Sequence, residues 1–301
     1  MKLGITGASG KVGRMAVEHA LTLTAPENLV VTTRSPRMLS DFAKCGVTVR
    51  HGDFDEPSSL PAAFAGLDRL LIVSASNATG KRHDEHRAAI DAAGTVGVRR
   101  IFFTSMPNVQ DEAHPSGLIA AEYRDAEGMV RESGLDYTIL RVALYTELHA
   151  IERVIQFARG TTSLSMNTAE GRCAFISRAD VAASAAAALI NDAFTGETID
   201  LTGPRLYTFR DVAHGIGRVV DRTLEYHAIG DQDFHAALLA DDVPSLLADA
   251  ISGTGRAIRE GYFDVLTDHA AHLLGREPRA LEDVLVANQQ ELRAAFASAS
   301  A

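Results

Sequence analysis

Glycines at positions 7, 10 and 13 stand between a short apolar run, Lys2–Thr6, and a segment with helically spaced apolar residues, Val12, Ala16, Ala20 and Leu23. So tight a turn from strand to helix needs residues without a Cβ. The stretch Thr6-Gly7-Ala8-Ser9-Gly10-Lys11-Val12-Gly13 opens a helix whose first N–H groups and partial positive charge favour an anion. The last glycine lets helix and strand approach closely. The spacing is Gly-x-x-Gly-x-x-Gly, not Gly-x-Gly-x-x-Gly, and a lone glycine triad is weak evidence. Its place directly after an N-terminal strand makes Gly7, Ala8, Ser9, Gly10, Lys11, Val12 and Gly13 a dinucleotide cradle.

The rest of the first half repeats this strand–helix rhythm. Strand-like runs are Leu29–Thr33, Val47–Val49, Arg69–Val73, Arg100–Phe103 and Tyr137–Leu140. Helical patterns fall at Arg37–Lys44, Ser58–Phe64 (capped by Ser58 or Ser59), Lys81–Val96 and Leu118–Glu132. Near-continuous apolar strands separated by helices imply an α/β fold with a doubly wound parallel sheet covered on both faces. The second half loses the rhythm. Thr146–Ala158 reads as helical, Cys173–Ile176 and Thr198–Leu201 as short strands around a helix at Asp180–Ile190, and the chain beyond Phe209 as mostly helical. This predicts a larger unit over 1–145 and a smaller, mostly helical unit over 146–301, with a soft boundary and later segments returning to the sheet.

In open α/β sheets ligands collect at the carboxyl ends of the strands. Arg34 ends the second strand, where an NAD-specific protein often places an acidic residue. An arginine there pairs with a 2′-phosphate, so NADPH is preferred over NADH; the alternative is a solvated surface arginine. Lys11 offers a second positive charge. Asp53 and Phe54 follow the third strand and are placed to receive the adenine, or Asp53 caps a turn. Ser74, Ala75 and Ser76 end the fourth strand. Thr104 and Ser105 end the fifth, facing the nicotinamide ribose or capping the next segment.

Composition narrows the classes. The 301 residues are 46% hydrophobic, enough for a sizeable core, and carry a net charge of −10. That charge argues against nucleic acid or anionic membrane as general partners. No run approaches the ~20 apolar residues of a membrane span, and the chain enters a strand at once rather than a signal peptide. Cys45 and Cys173 lack metal-ligand spacing and read as thiols in a reducing cytoplasm. His83 and His86, at the start of a polar helix, read as solvated, with no metal expected. A small-molecule substrate is expected, and a homodimer is open.

Thr6–Gly13, Thr33-Arg34, Val49–Phe54, Leu60–Leu71 and Gly134–Arg141 through Tyr145 resemble the NmrA-like atypical short-chain dehydrogenase/reductases. So does Leu274-Gly275-Arg276-Glu277-Pro278, more weakly. Within them, the chain is most similar to NADPH-dependent quinone oxidoreductases and triphenylmethane dye reductases. The resemblance implies a Rossmann-type domain holding NADPH and a smaller C-terminal substrate domain. It also implies cofactor roles for Gly7, Gly10, Gly13, Arg34, Asp53 and Ser74, and a cleft lined by the segment around Tyr145. The family's reductases often carry His-x-x-x-Glu where this chain has Tyr123-Arg124-Asp125-Ala126-Glu127, so proton delivery does not carry over.

Ordinary short-chain dehydrogenases use Tyr-x-x-x-Lys, in which the lysine lowers the tyrosine pKa. This chain has Tyr123-x-x-x-Glu127 and Tyr137-x-x-x-Arg141 but no such pair. Tyr123 is the candidate catalytic residue, as a neutral acid or a carbonyl-orienting group, with a packing tyrosine as the alternative. Tyr137 reads as core and Arg141 as a structural tie. A quinone or conjugated dye takes hydride without a dedicated protein acid, so the protein needs mainly to orient it. Met106, Leu144, Tyr145 and Phe175 suit the wall of such a cleft, with a place in the core as the alternative for each. The reading is hydride transfer from NADPH to a quinone-like or other conjugated acceptor. Two alternatives stay open: a non-catalytic NADP(H)-binding redox sensor, and an NADPH-dependent ketone or imine reductase with Tyr123 as acid.

Overall fold

The structure, a computed structural model, describes residues 1–74, 81–158 and 161–297. Its strands are β1 (Leu3–Ile5), β2 (Leu29–Thr33), β3 (Thr48–His51), β4 (Arg69–Ile72), β5 (Arg100–Ser105), β6 (Asp136–Val142), β7 (Ser163–Met166), β8 (Arg172–Cys173), β9 (Glu197–Leu201), β10 (Tyr207–Thr208) and β11 (Glu225–Ala228). Seven of them form one sheet in the order β3-β2-β1-β4-β5-β6-β9. Every pairing in it is parallel. The strand order reverses between β1 and β4, which leaves a crevice above their carboxyl ends. The seventh strand, β9, lies well beyond residue 145 yet completes this sheet.

Helices are α1 (Lys11–Leu23), α2 (Ser40–Lys44), α3 (Leu60–Phe64), α4 (Arg82–Thr95), α5 (Leu118–Glu132), α6 (Arg153–Ala158), α7 (Arg178–Ile190), α8 (Phe209–Val220), α9 (Asp231–Ala240), α10 (Ser245–Arg259), α11 (His269–Leu274), α12 (Leu281–Ala287) and α13 (Gln289–Ala297). Strand side chains alternate between the two faces of the sheet. Leu71, Phe102 and Leu140 pack with Ala16, Ala20, Ala182, Ala185 and Ala270 of α1, α7 and α11. Leu70, Ile72, Ile101 and Phe103 pack with Phe64, Ile90, Ala126 and Val130 of α3, α4 and α5. The small residues on α1 and α7 let those two helices run close together. A third cluster, from Leu144 and Ile151 through Phe209, Ile251 and Leu285 to Phe296, is built by the later helices.

A joint at the start of α7 ties the parts together. Ser177 caps α7, accepting from the Asp180 N–H at 3.0 Å. The buried Asp180 carboxylate also accepts from Arg276 at 2.6 Å and from the Arg279 N–H at 2.9 Å. Gly275, at φ +66°, ends α11 and turns the chain toward that contact.

The structure departs from the sequence reading in several elements. Cys173–Ile176 is not one strand. Only Arg172–Cys173 pairs with β10, because the next backbone groups serve two neighbours: Ala174 accepts from Gly203 at 3.1 Å, while Ile176 bonds Leu144 and Thr146. The parallel pair β7–β11 had no apolar-run signal. Thr146–Ala158 begins as a π-helix over Thr146–Glu152 and becomes α-helical only at Arg153. Ser59 makes no side-chain cap for α3; its hydroxyl instead accepts from the Asp53 N–H at 2.9 Å and donates to the Glu56 carbonyl at 2.7 Å. His86 is fully buried, edge-on to Phe103 with ring centroids 5.0 Å apart, rather than solvated.

A Cβ on Gly13 would drive into the Gly7 carbonyl, whereas one on Gly128 in α5 would meet open space. Gly13→Ala should therefore lose about 1–3 kcal/mol in denaturant unfolding, and Gly128→Ala should gain about 0.5–1 kcal/mol.

Candidate functional site

The cradle sits at the reversal of the sheet. Gly7 adopts φ +61° and its carbonyl accepts the Gly10 N–H at 2.9 Å, which closes the turn. The Ala8 N–H is already spent on the Thr32 carbonyl at 3.2 Å and its side chain is fully buried, so Ala8 shapes the turn. Gly10 is the N-cap of α1 and offers no side-chain cap. Helix geometry leaves the N–H groups of Lys11, Val12 and Gly13 without intrahelical partners. Together with the missing Cβ atoms, this is the cradle that a dinucleotide pyrophosphate fits. Ser9 and Thr33 join the loop to the end of β2 through their hydroxyls at 2.8 Å. Thr6 likewise accepts the Val73 N–H at 3.0 Å and locks the ends of β1 and β4 together.

Arg34 is exposed at the end of β2, and among the described residues it makes no hydrogen bond or ion pair. Lys11 differs from expectation. Its ammonium is held by Glu152 at 2.8 Å, and Glu152 also binds Arg178 at 2.7 Å. Burial opposes that carboxylate's charge, but Arg178 and Lys11 keep its pKa below the ordinary value. Lys11 is therefore a latch between the cradle and the π-helix. Asp53 accepts from the Asp55 N–H at 3.1 Å with one oxygen, so it does cap a turn. Phe54 is half-buried against the α3–α5 cluster. Ala75 and Ser76 lie outside the described residues.

The ends of β4 and β5 meet in a hydroxyl cluster. The Thr104 hydroxyl accepts the Ser74 N–H at 2.8 Å and donates to the Ser74 hydroxyl at 3.0 Å. Ser74 in turn lies 3.0 Å from the Tyr123 hydroxyl. Tyr123 is thus brought from α5 to the carboxyl ends of β4 and β5, with Arg82 over its ring at 5.3 Å. The preceding residue, Glu122, is buried, pairs with Arg82 at 3.2 Å, and borders a cavity of about 210 Å³ lined also by Pro115, Leu118, Leu246 and Ala250.

Ser105 points elsewhere. Its hydroxyl donates to Glu127 at 2.8 Å, which overturns both roles expected for it. Glu127 is enclosed and takes a two-bond fork from Arg141, 2.8 Å each, plus Arg131 at 2.9 Å. Burial alone would raise its pKa; Arg141 and the other donors hold it lowered. The Tyr123-x-x-x-Glu127 pattern is therefore two separate units, one at the carboxyl ends of β4 and β5 and one tying α5 to β6.

Of the expected cleft wall, Tyr145 and Met106 are half-buried. Tyr145 follows β6, and Arg178 stands 6.0 Å over its ring. Burial raises its phenol pKa, and nearby Tyr123 adds to the shift. Phe175 is fully enclosed and packs edge-on against Phe209 at 5.5 Å, so it is core rather than wall. Leu144 belongs to the same core, because its backbone pairs with Ile176 and turns the side chain inward. The sequence reading named Thr6 and Thr33 within its motifs without giving them these contacts, and it missed Glu152 and Arg178. The only local signal was Ser177-Arg178-Ala179-Asp180, a helix-start pattern that places Arg178 at the beginning of α7.

Glu127→Ala should lose about 3–5 kcal/mol of stability, because the mostly enclosed Arg141 is left without its partner. Glu127 has a folded pKa below its unfolded one, so its contribution is present above the ordinary value of 4.5 and is lost as pH falls through the folded value. In urea titrations the gap between wild type and Glu127→Gln should accordingly shrink on acidification below that range.

With this geometry in view, comparison with known proteins is direct. A family model described as NAD(P)H-binding matches residues 7–192, more than half of the chain. Quinone oxidoreductase 2 of Escherichia coli (strain K12) is 30% identical over 87% of this chain and 90% of its own. An NmrA-like family domain-containing oxidoreductase of Aspergillus flavus is 25% identical over 96% of each. The crystal structure of the Escherichia coli NADPH-dependent quinone oxidoreductase complexed with NADPH superposes with a TM-score of 0.88 at 28% identity, covering 94% of this chain and 98% of that one. The cradle, the reversal of the sheet and these matches agree: the chain belongs to the NAD(P)H-binding family and is an NmrA-like, NAD(P)H-dependent oxidoreductase.

Proposed function

We propose that the protein is an NADPH-dependent reductase that delivers hydride to a quinone-like or other conjugated small molecule. The observation that carries this reading is the juxtaposition of the open α1 cradle with the Ser74–Thr104–Tyr123 hydroxyl cluster across the reversal of the sheet. The bound dinucleotide would supply the hydride. Gly7, Ser9, Gly10, Val12 and Gly13 hold the pyrophosphate, and Arg34 takes the 2′-phosphate. Asp53 keeps one oxygen free of the Asp55 turn bond for the adenine, with Phe54 beside it. Thr104 fixes Ser74, and Ser74 orients the Tyr123 hydroxyl.

The chain's own residues favour an acceptor that needs no strong protein acid. Tyr123 has no lysine partner at the usual spacing, and the carboxylate that stands there instead, Glu127, is consumed by Arg141 and Arg131. A quinone or extended conjugated acceptor delocalises the charge it receives, and water can complete its protonation. Similarity to quinone oxidoreductase 2 over nearly the whole chain supports the same acceptor class. Tyr145 and Met106 then serve as the cleft wall. We assign residues 1–145 and β9 to the cofactor unit and the later helices to a substrate-closing unit. The free thiols of Cys45 and Cys173 suit a cytoplasmic setting, and among the described residues no helix is long and apolar enough to cross a membrane.

Following NADPH absorbance with a panel of quinones, dyes and ketones tests the reading. Turnover of quinones is expected, and tight NADPH binding with no acceptor reduced would overturn it. Tyr123→Phe should keep quinone reduction within a few-fold. Arg34→Ala should weaken NADPH by about 1.5–3 kcal/mol through the lost charged hydrogen bond and leave NADH nearly unchanged. Equal losses for both would refute the 2′-phosphate role.

A further inference from the structure

Arg153, at the start of α6, is unusual among the cations of this acidic chain. The other described arginines that lack a side-chain hydrogen bond or ion pair (Arg34, Arg37, Arg87, Arg218 and Arg279) are all exposed. Arg153 is partly enclosed and, among the described residues, still has no such partner, feeling the Glu152 charge only at a distance. Its neighbour in sequence, Glu152, is committed to Arg178 and Lys11. Burial pulls the Arg153 pKa down to about 10, which leaves the guanidinium charged at neutral pH but poorly solvated.

The faces of the segment say where Arg153 looks. Thr146, Ala150, Ile151, Val154 and Ala158 are buried, and the apolar ones among them join the C-terminal core. Glu147 and Glu152 form a second side and bind the start of α7. The turns here are π-type, with the Arg153 N–H on the Leu148 carbonyl, so four to five residues complete a turn and Tyr145, His149 and Arg153 follow one another along a third side. Its first turn is closed by the His149 N–H on the Tyr145 carbonyl at 2.9 Å. Helical side chains lean toward the N-terminus, and the Arg153 charge acts on His149, the residue between it and Tyr145. His149 lies between them; burial, with Arg153 and Arg178 adding, pushes its pKa well below the ordinary value, and it stands as a neutral ring.

We propose that the acceptor reduced at this site carries an acid group, a carboxylate, sulfonate or phosphate. Arg153 binds that group, His149 contributes a neutral ring hydrogen bond, and the conjugated part lies against Tyr145. This deepens the reductase reading and rests on it for the position of the reacting ring. An anion supplies the partner that the partly enclosed guanidinium lacks, and Arg forks match such oxygens in two bonds. Arg153 is thus a specificity-determining residue, remote from hydride transfer itself.

The test compares 1,2-naphthoquinone-4-sulfonate with uncharged 1,4-naphthoquinone at constant ionic strength, in wild type and in Arg153→Gln. The ratio between acceptors cancels within each protein, so only its change on mutation is read. Arg153→Gln should lower kcat/KM for the sulfonate at least tenfold, through KM, with the neutral quinone within twofold. Arg153→Lys should recover part of the loss. Unchanged thermal melting and NADPH affinity separate this result from misfolding. Equal falls for both acceptors, or no change in either, overturn the proposal. If wild type reduces neither quinone, the reductase reading fails on its own, and the anion site is read by calorimetric titration of the sulfonate into the NADP⁺ complex. There wild type should bind at least tenfold tighter than Arg153→Gln, and equal affinity rejects the site.

Discussion

The approach of α1 to the Gly7 carbonyl is the constraint on which the rest of the structure depends. The helix starts where it does because Gly13 has no Cβ to collide with the turn. That start leaves the first N–H groups of α1 uncapped at the reversal between β1 and β4. A side chain at position 13 would push the helix off the sheet, and with it the close packing of α1 on α7. The anion cradle and the packing of one whole face of the sheet thus share a single steric condition.

Around this cradle, charge is used mainly to join elements. Glu127 binds α5 to β6 through Arg141 and Ser105. Asp180 binds α7 to the 276–279 segment. Glu152 bridges Lys11 of the cradle and Arg178 of α7. Buried ion pairs of this kind add little net stability against apolar substitutes but penalise any arrangement that separates the partners. They fix how the late helices sit over the strand ends, and so fix where Tyr145 stands relative to Tyr123. Among the described residues, Arg34 and Arg153 take no hydrogen bond or ion pair in this network.

Much of the fold was legible because its signals are local. Parallel strands buried on both faces read as apolar runs, and β1, β2, β4, β5 and β6 follow them closely. The glycine loop and Arg34 could be placed because both are set by their position relative to a strand end. The roles of Ser105, Lys11, Leu144 and Phe175 could not be read in the same way. Each depends on a partner distant in sequence: Glu127, Glu152, Ile176 and Phe209 respectively. A hydroxyl at a strand end looks the same in sequence whether it faces a ligand or a buried carboxylate.

By itself the sequence determined the strand–helix alternation, the cradle at Gly7–Gly13 and the absence of a tyrosine–lysine pair, because steric freedom, periodicity and spacing are properties of neighbouring residues. Only the tertiary structure decided that Tyr123 meets Ser74, that Glu127 is withdrawn by Arg141, and that Lys11 is latched to Glu152. Those outcomes depend on which strand ends lie side by side and on a π-helical start to the segment after β6. Both are settled by packing between parts of the chain that no short-range pattern connects.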